Sequence, residues 1–223
     1  MALPKAFIFD LNGTIIDDMG YHAVAWENMI NNHLKAGLSW EEVKAQMYGK
    51  NEELLVRIFG ENKFTTEEMA ALSLEKERLY QEAYKSEMKP IDGFEPFVSK
   101  AFEQGIAMGI GSAAIMFNIN FILDGLNLRK YFKSIVSADD VITSKPHPET
   151  FLKVATQLNI VPEDCIVFED APKGVEAAAN AGMSCVVITT MHGKEEFVSY
   201  NNILFFIDDY TDERLYKDLL VCV

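Results

Sequence analysis

The alternation of short apolar runs with helical stretches constrains the fold of this chain more than any other feature. Six runs have the length and apolar character of buried β-strands. They lie at Ala6–Phe9, 106–111, Ser134–Val136, 166–168, 185–188 and 203–206. Helical segments separate most of these runs, and this order is typical of a parallel sheet with helices on both faces. We therefore predict an α/β fold built on a doubly wound parallel sheet.

One long segment, residues 17–89, interrupts this alternation. It contains no convincing strand and carries apolar residues at helical spacing. One apolar stripe consists of Trp26, Met29, Ile30 and Leu34, and a second consists of Leu72, Leu79 and Ala83. We predict that residues 1–16 and 90–223 form the core domain, and that residues 17–89 form a helical cap inserted between the first two strands.

Two capping boxes within this segment mark helix starts. Ser39 is followed three positions later by Glu42, and Thr65 is followed in the same way by Glu68. In such a pair the hydroxyl and the carboxylate each accept a hydrogen bond from a backbone N–H group at the helix start. The sequence therefore predicts helices that begin directly after Ser39 and Thr65.

Charge and hydropathy exclude several classes of partner. The formal net charge is −14, which disfavours binding to nucleic acids or to anionic membranes. No apolar stretch reaches the roughly 18 residues that a membrane-spanning helix needs, and no leader with a charged and then an apolar region precedes the first strand. Of the three cysteines, we expect Cys165 and Cys185 to be buried free thiols, and Cys222 has no metal-ligand spacing to either. These features predict a cytoplasmic protein.

Polar residues suited to phosphate chemistry follow the first two predicted strands. Asp10 ends the first apolar run, and Asn12-Gly13 turns the chain immediately afterwards. Ser112 ends the second run, where a hydroxyl and nearby backbone N–H groups, such as that of Ala113, form a natural phosphate site before a helix.

Two further positions supply charge. Lys145, in Ser144-Lys145-Pro146-His147-Pro148, offers an ammonium that would offset the charge of a carboxylate and a phosphate. Glu169 and Asp170 follow the fourth run as adjacent carboxylates. Such a pair at a strand end suits a hard cation such as Mg²⁺, which takes one or two carboxylates together with water and substrate oxygens.

In this order the residues resemble the motifs of the haloacid dehalogenase superfamily. The stretch Asp10-Leu11-Asn12-Gly13-Thr14 is similar to the first motif of that superfamily, Asp-x-Asp-Gly-Thr. The helical insert is similar in position and size to the C1 cap of the beta-phosphoglucomutase-like phosphatases and mutases, and the resemblance covers essentially the whole chain. It implies a Rossmann-like core with an α-helical cap, and a hydrolase that acts on a small phosphorylated metabolite.

The resemblance also implies a role for each residue of the site. Asp10 would attack phosphorus and form an aspartyl-phosphate. A carboxylate oxygen of Asp10, the backbone carbonyl of Asn12 and Asp170 would hold Mg²⁺, with Glu169 acting directly or through a water. The phosphate oxygens would be bound by Thr14, Ser112, Ala113 and Lys145.

His22 and Trp26 lie four residues apart and share a helix face. They match a His and a Trp that are common at the cap–core interface of this subfamily, so the resemblance implies that His22 contacts substrate. The alternative is a partly buried packing pair.

Asn12 is the main departure from the family pattern. The resembling phosphotransferases carry their general acid/base at this position, and the loss of such a group typically costs about 10²–10⁴ in rate. Three explanations stay open. The chain is a slow or specialised phosphatase that relies on a good leaving group or on His22, or a catalytically silent phosphate-ester-binding or regulatory protein, or a variant in which Asn12 was introduced to trap a complex.

A sugar-phosphate mutase and a dehalogenase are two further alternatives. A mutase needs a second phosphate site with an arginine on the cap, but Glu52 stands at that position and residues 113–116 are apolar. The dehalogenase branch does not use magnesium, whereas the pair Glu169-Asp170 favours the metal-dependent branch. We therefore expect a magnesium-dependent phosphatase that acts through Asp10 as a monomer or weak dimer.

Overall fold

A computed structural model describes residues 3–220 and shows one six-stranded sheet. Its strands, numbered along the chain, are β1 Ala6–Phe9, β2 Ala107–Gly111, β3 Ser134–Val136, β4 Cys165–Glu169, β5 Ser184–Ile188 and β6 Ile203–Ile207. They lie in the order β3-β2-β1-β4-β5-β6, and every neighbouring pair is parallel. The prediction of a doubly wound parallel sheet is therefore confirmed.

Each predicted apolar run forms a strand, because a strand buried on both faces is apolar along its whole length. The bounds of β1 and β3 agree with the prediction, and those of the other four strands differ by one residue at one or both ends. Strand β4 extends beyond the predicted run 166–168 to include Cys165 and Glu169. Glu169 pairs with Val187 of β5, so the sheet itself holds the backbone of this buried carboxylate.

Helices connect the strands and build the insert. Those of the insert are α1 Met19–Glu27, α2 Trp40–Ala45, α3 Asn51–Phe59 and α4 Thr66–Tyr84. Those that follow are α5 Phe94–Glu103, α6 Met116–Gly125, α7 Glu149–Leu158, α8 Pro172–Asn180 and α9 Glu213–Asp218. Helix α1 continues into a π-helical turn, Asn28–His33.

The chain divides into two compact units. The core unit comprises Met1–Asp17 and Lys89–Val223, and the insert unit is Asp18–Met88. These bounds lie within one residue of the predicted boundaries at 16/17 and 89/90. The N–H group of Ile91 donates a hydrogen bond of 2.8 Å to the carbonyl of Ile15. The chain therefore leaves the core unit and re-enters it at nearly the same point.

The insert unit has its own apolar cluster. Its buried members are Trp26, Met29, Ile30, Val43, Leu54 and Leu55. Leu72 and Leu79 pack against this cluster, but Ala83 is exposed, so the prediction of Ala83 as part of the second stripe was wrong. Both predicted capping boxes are present, at the starts of α2 and α4.

The helices and the cysteines bear on the predictions about membrane spans and free thiols. Within residues 3–220, no helix combines the length and the apolarity that crossing a bilayer requires. Cys165 and Cys185 are buried free thiols, as predicted, whereas Cys222 lies outside the described residues.

Candidate active site

The predicted site residues of the core unit lie at one edge of the sheet. Parallel strands end at the same edge, and ligands of open α/β sheets bind there. Asp10 follows β1, Ser112 follows β2, and the pair Glu169-Asp170 ends β4. Because β1 lies between β2 and β4, three neighbouring strand ends contribute to one site.

Lys145 joins two of these carboxylates. Its Nζ lies 2.6 Å from Asp10 Oδ1 and 2.7 Å from Glu169 Oε1, and its ammonium lies 4.6 Å from the centre of the Phe151 ring. Burial disfavours the ammonium, but the charges of Asp10 and Glu169 outweigh burial and raise the pKa of Lys145 above its ordinary value. Lys145 therefore remains positively charged and supplies the cation of the site.

Three buried carboxylates share this one ammonium. Burial raises the pKa of Asp10 to about 6, with Lys145 opposing the shift and the charge of Glu169 adding to it. The pKa of Asp170 is also raised well above its ordinary value, first by burial and then by the charges of Glu169 and Asp10. The site therefore has an excess of negative charge that a further cation would relieve.

Both oxygens of Glu169 are engaged. Oε1 contacts Lys145, and Oε2 accepts hydrogen bonds of 2.8 Å from the N–H groups of Asp170 and Ala171. A Cβ atom at Gly174, in the first turn of α8, would lie 1.7 Å from Glu169 Oε1. Gly174 therefore provides the space for this carboxylate, a role that sequence reasoning missed although a glycine shortly after two acidic residues was visible.

Gly13 and Thr14 lie against Asp170. Gly13 has a φ of +73°, and a Cβ atom there would lie 2.1 Å from Asp170 Oδ2. The Thr14 hydroxyl donates to Asp170 Oδ1 at 3.5 Å. The tight turn after β1 therefore needs glycine for two reasons, its left-handed backbone and its close approach to Asp170.

Replacement of Gly13 by alanine should lower the free energy of unfolding. A non-glycine residue in the left-handed region costs roughly 1–2 kcal/mol, and displacement of Asp170 should add to this. Urea denaturation would measure the change. Gly105→Ala is the matched control, because Gly105 has a φ of +77° but a Cβ atom added to it would meet nothing within 4 Å. An equal decrease in the free energy of unfolding of the two variants would mean that moving Asp170 aside costs no measurable free energy.

Ser112 is placed as predicted, at the end of β2 and before α6. It is buried, its N–H group donates to the carbonyl of Val136, and its hydroxyl accepts a hydrogen bond of 3.1 Å from the N–H group of Ala114. Ala113, between them, is half-buried. This turn therefore supplies one hydroxyl and successive backbone groups, which is the arrangement that phosphate sites use.

His22 belongs to the insert unit, where it is buried among polar side chains. Its Nδ1 lies 3.1 Å from Lys76 Nζ, and its ring stacks on that of Tyr80 with 3.7 Å between centroids. Lys76 pairs with Glu77 at 2.6 Å and lies 4.9 Å from the ring of Trp26. The predicted pair of His22 and Trp26 is thus part of a charged cluster that sequence reasoning missed.

The donor set at the sheet edge suits a hard cation. Within residues 3–220, no three or more His, Cys, Asp or Glu side chains are arranged as a metal-binding group. Magnesium does not require such a group, because it binds through one or two carboxylates and completes its shell with waters and substrate oxygens. Asp10 and Asp170 provide two carboxylates in a site with excess negative charge, so these residues fit the ion.

Comparison with known proteins identifies the family. The model of the haloacid dehalogenase-like hydrolase family matches residues 7–188. The chain is 31% identical over 180 residues to the fructose-1-phosphate phosphatase of Escherichia coli strain K12, covering 80% of this chain and 93% of that protein. It is 33% identical over 196 residues to the beta-phosphoglucomutase of Bacillus subtilis strain 168, covering 82% of each.

A solved structure of a related protein has the same fold. The beta-phosphoglucomutase of Clostridium difficile superposes with a TM-score of 0.80 at 28% identity, over 93% of this chain and 92% of that one. The chain is therefore an enzyme of the hydrolase type and belongs to the haloacid dehalogenase-like hydrolases.

Proposed function

We propose that this chain is a magnesium-dependent phosphatase that transfers the phosphoryl group of a small phosphate monoester to Asp10. The contact between Asp10 and Lys145, 2.6 Å long at the carboxyl edge of the sheet, carries the proposal. It puts a potential nucleophile beside a fixed cation, and such charge stabilisation supplies much of phosphoryl-transfer catalysis. Relatives named as a fructose-1-phosphate phosphatase and a beta-phosphoglucomutase support a sugar phosphate or a similar small ester.

The reaction proceeds in two steps. In the first, a carboxylate oxygen of Asp10 forms a bond to phosphorus, and the bond between phosphorus and the ester oxygen breaks with its electron pair leaving on that oxygen. In the second, a water oxygen forms a bond to phosphorus, and the bond between phosphorus and the Asp10 oxygen breaks with its electron pair returning to the carboxylate. The water gives up one proton and the released ester oxygen takes up one, so the products are inorganic phosphate and an alcohol. The phosphate oxygens are bound by Lys145, Ser112 and the backbone N–H group of Ala113, whereas the buried Thr14 hydroxyl donates to Asp170.

Asp10, the backbone carbonyl of Asn12 and Asp170 would hold the magnesium ion. When bound, the ion would neutralise charge on the phosphate oxygens and on the crowded carboxylates. Since both oxygens of Glu169 already have partners, Glu169 would act on the ion through a water, and it also keeps Lys145 in place. The Asn12 carbonyl belongs to the backbone, so the change from aspartate leaves this donor available.

Asn12 supports a second candidate function. An amide cannot protonate a departing oxygen, so the chain would be slow on substrates with poor leaving groups. A phosphate-ester-binding or regulatory protein with the same fold needs the residues that bind the phosphate and the metal, but no general acid/base. His22 is the candidate for a proton donor if the chain is a phosphatase, and turnover by the unaltered protein decides between the two functions.

Mutase activity is less well supported. Glu52 lies in the first turn of α3, where a mutase of this kind would carry an arginine, and the apolar residues 113–116 offer no side chain for a second phosphate. The net charge of −14 argues against nucleic-acid and membrane partners. We propose a monomer or weak dimer whose partner is a small phosphorylated metabolite.

Calorimetry and turnover together test the proposal. We expect the unaltered protein to bind Mg²⁺, Asp170→Ala to bind it at least about 10-fold more weakly, and Asp10→Asn to lose turnover of p-nitrophenyl phosphate. Asp218→Ala is the matched control, because Asp218 is exposed at the end of α9. Equal affinity in Asp170→Ala and the control would remove Asp170 from the metal site. Ester binding without turnover by the unaltered protein would favour the binding-protein function.

A further inference from the structure

The carbonyl groups on both sides of Thr14 are held by hydroxyl groups from distant parts of the core unit. Thr190, after β5, donates from Oγ1 to the carbonyl of Gly13 at 2.7 Å. Tyr210, after β6, donates from its hydroxyl to the carbonyl of Thr14 at 3.1 Å. These two carbonyls belong to the successive peptide planes that flank Thr14.

Two fixed peptide planes determine the conformation of the residue between them. Because each peptide is planar, the orientations of the Gly13–Thr14 and Thr14–Ile15 peptides set φ and ψ of Thr14. The allowed side-chain rotamers depend on φ and ψ, so the direction of the Thr14 hydroxyl follows from these two hydrogen bonds. That hydroxyl lies 3.5 Å from Asp170 Oδ1.

The Tyr210 donor is itself held rigidly. Its side chain is fully buried, and its ring packs against those of Phe94 and Phe168 with centroids 5.0 Å and 5.9 Å away. Its N–H group donates to the carbonyl of Asp92. Burial, with the charges of Asp170 and Asp10 adding to it, raises the pKa of Tyr210 well above its ordinary value. The phenol therefore stays protonated and remains a donor.

The Thr190 donor is anchored through its neighbour. The hydroxyl of Thr189 donates to Asp208 at 2.7 Å, and the N–H group of Thr189 donates to the carbonyl of Ile207 at 2.9 Å. This ties the segment after β5 to the end of β6. Thr190 can therefore resist movement of the Gly13 carbonyl rather than move with it.

Gly13 transmits the same restraint to Asp170. Since a Cβ atom at Gly13 would lie 2.1 Å from Asp170 Oδ2, the backbone of Gly13 and the carboxylate are in close contact. Rotation of the peptide that Thr190 holds would alter this contact. One hydrogen bond thus influences both Thr14 and Asp170.

We propose that Thr190 and Tyr210 are positioning residues for phosphoryl transfer, which hold Thr14, and through its hydroxyl Asp170, in place at the site. The inference rests on the proposed function of this site. Both hydroxyls act through the backbone beside Thr14 and not through a contact with substrate. Misplacement of a binding group by about 1 Å can cost 10²-fold in rate, so the effect is measurable.

Variants of Thr190 separate the hydroxyl from the shape of the side chain. Thr190→Val keeps the shape and removes the donor, and Thr190→Ser keeps the donor and serves as the matched control. With p-nitrophenyl phosphate and Mg²⁺, we expect Thr190→Val to lower kcat about 10-fold and to change KM less than about threefold. Tyr210→Phe should act in the same direction, and Thr190→Ser should stay within about twofold of the unaltered protein.

Hydrogen exchange of the magnesium-free protein gives a readout that does not depend on turnover. The peptide covering residues 10–16 should exchange faster in Thr190→Val and Tyr210→Phe, and at the original rate in Thr190→Ser. If Thr190→Ser and Thr190→Val lose kcat and thermal midpoint equally, the role of Thr190 is structural and the inference is overturned.

Two further outcomes separate this inference from the proposed function. Unchanged kcat and unchanged exchange in both Thr190→Val and Tyr210→Phe would overturn the positioning role and leave the phosphatase intact. An unaltered protein that neither binds Mg²⁺ nor hydrolyses any phosphate ester would overturn the proposed function, and this inference with it.

Discussion

Replacement of Asn12 by aspartate is expected to raise kcat on an alkyl phosphate by about 10²-fold or more. A carboxylic acid at this position can donate a proton to the departing oxygen and then accept one from the attacking water, whereas an amide can do neither. The two side chains have nearly the same shape, so the free energy of unfolding should change little. The measurement is kcat on a sugar phosphate, with and without Mg²⁺, for both proteins in parallel.

The surroundings of Asp10 explain why the gain should be large. Lys145 contacts two carboxylates at 2.6 and 2.7 Å, and its raised pKa makes its ammonium a poor acid near neutral pH. Glu169 is occupied by Lys145 and by two backbone N–H groups. Neither Lys145 nor Glu169 is therefore suited to donate the proton that an amide at position 12 cannot supply.

This comparison needs two controls. Asn-Gly pairs deamidate readily, and conversion of Asn12 beside Gly13 would create the active form in an aged sample, so intact mass must accompany each assay. Asn120→Asp introduces the same charge on an exposed face of α6 and should leave kcat unchanged. If fresh, undeamidated protein already equals Asn12→Asp on a sugar phosphate, Asn12 is not the limiting residue. Inactivity of both would favour the phosphate-ester-binding protein.

The rate of the unaltered protein should depend steeply on the leaving group. Without an acid to protonate it, the departing oxygen leaves as an anion, so the rate should rise as the pKa of its conjugate acid falls. Aryl and acyl phosphates should therefore be hydrolysed far faster than sugar phosphates. A series of substituted phenyl phosphates with matched sugar phosphates would measure this slope.

His22 provides the decisive variant for this series. A flat dependence on leaving-group pKa would show that some group donates the proton. If that group is His22, His22→Ala should restore the steep slope. A flat slope in the unaltered protein would contradict the leaving-group prediction, and a flat slope that persists in His22→Ala would also exclude His22 as the donor.

The strands could be predicted because buried parallel strands carry their signal in consecutive residues. The runs that became β1 and β3 were predicted with the bounds that the structure shows, and the first carboxylate of the site followed from the end of β1. The end of β4 could not be predicted in this way, because Glu169 is a charged residue whose backbone is held by pairing with Val187. Hydropathy alone gives no sign of that pairing.

The buried face of α4 shows a different limit of sequence reasoning. The apolar pattern indicated Leu72, Leu79 and Ala83, but the residues of this helix that are most buried are largely polar. They are Ser73, Lys76, Glu77, Tyr80 and Tyr84. Buried charges need partners, and the partners of Lys76 include His22, which lies on another helix. The sequence of α4 alone does not show this partner, so its polar residues indicate a solvent-exposed face.

Roles that depend on distant contacts were also beyond the sequence. Thr190 and Tyr210 act on residues that precede them by most of the length of the chain, and neither belongs to a recognisable motif. Gly174 was visible as a glycine, but its purpose depends on where the Glu169 carboxylate points. Such roles become apparent only in the folded structure, where a hydroxyl lies against its acceptor or a carboxylate occupies the space beside a glycine.

The hydrogen bond between Ile15 and Ile91 bears on how freely this scaffold accommodates insertions. Ile15 and Ile91 lie in the core unit on either side of the insertion, and a hydrogen bond of 2.8 Å joins them. The inserted segment is therefore a loop that the core unit already closes. The entropy of closing a loop grows only slowly with its length. A longer, shorter or differently folded segment at this junction would therefore disturb the strand register of the core little.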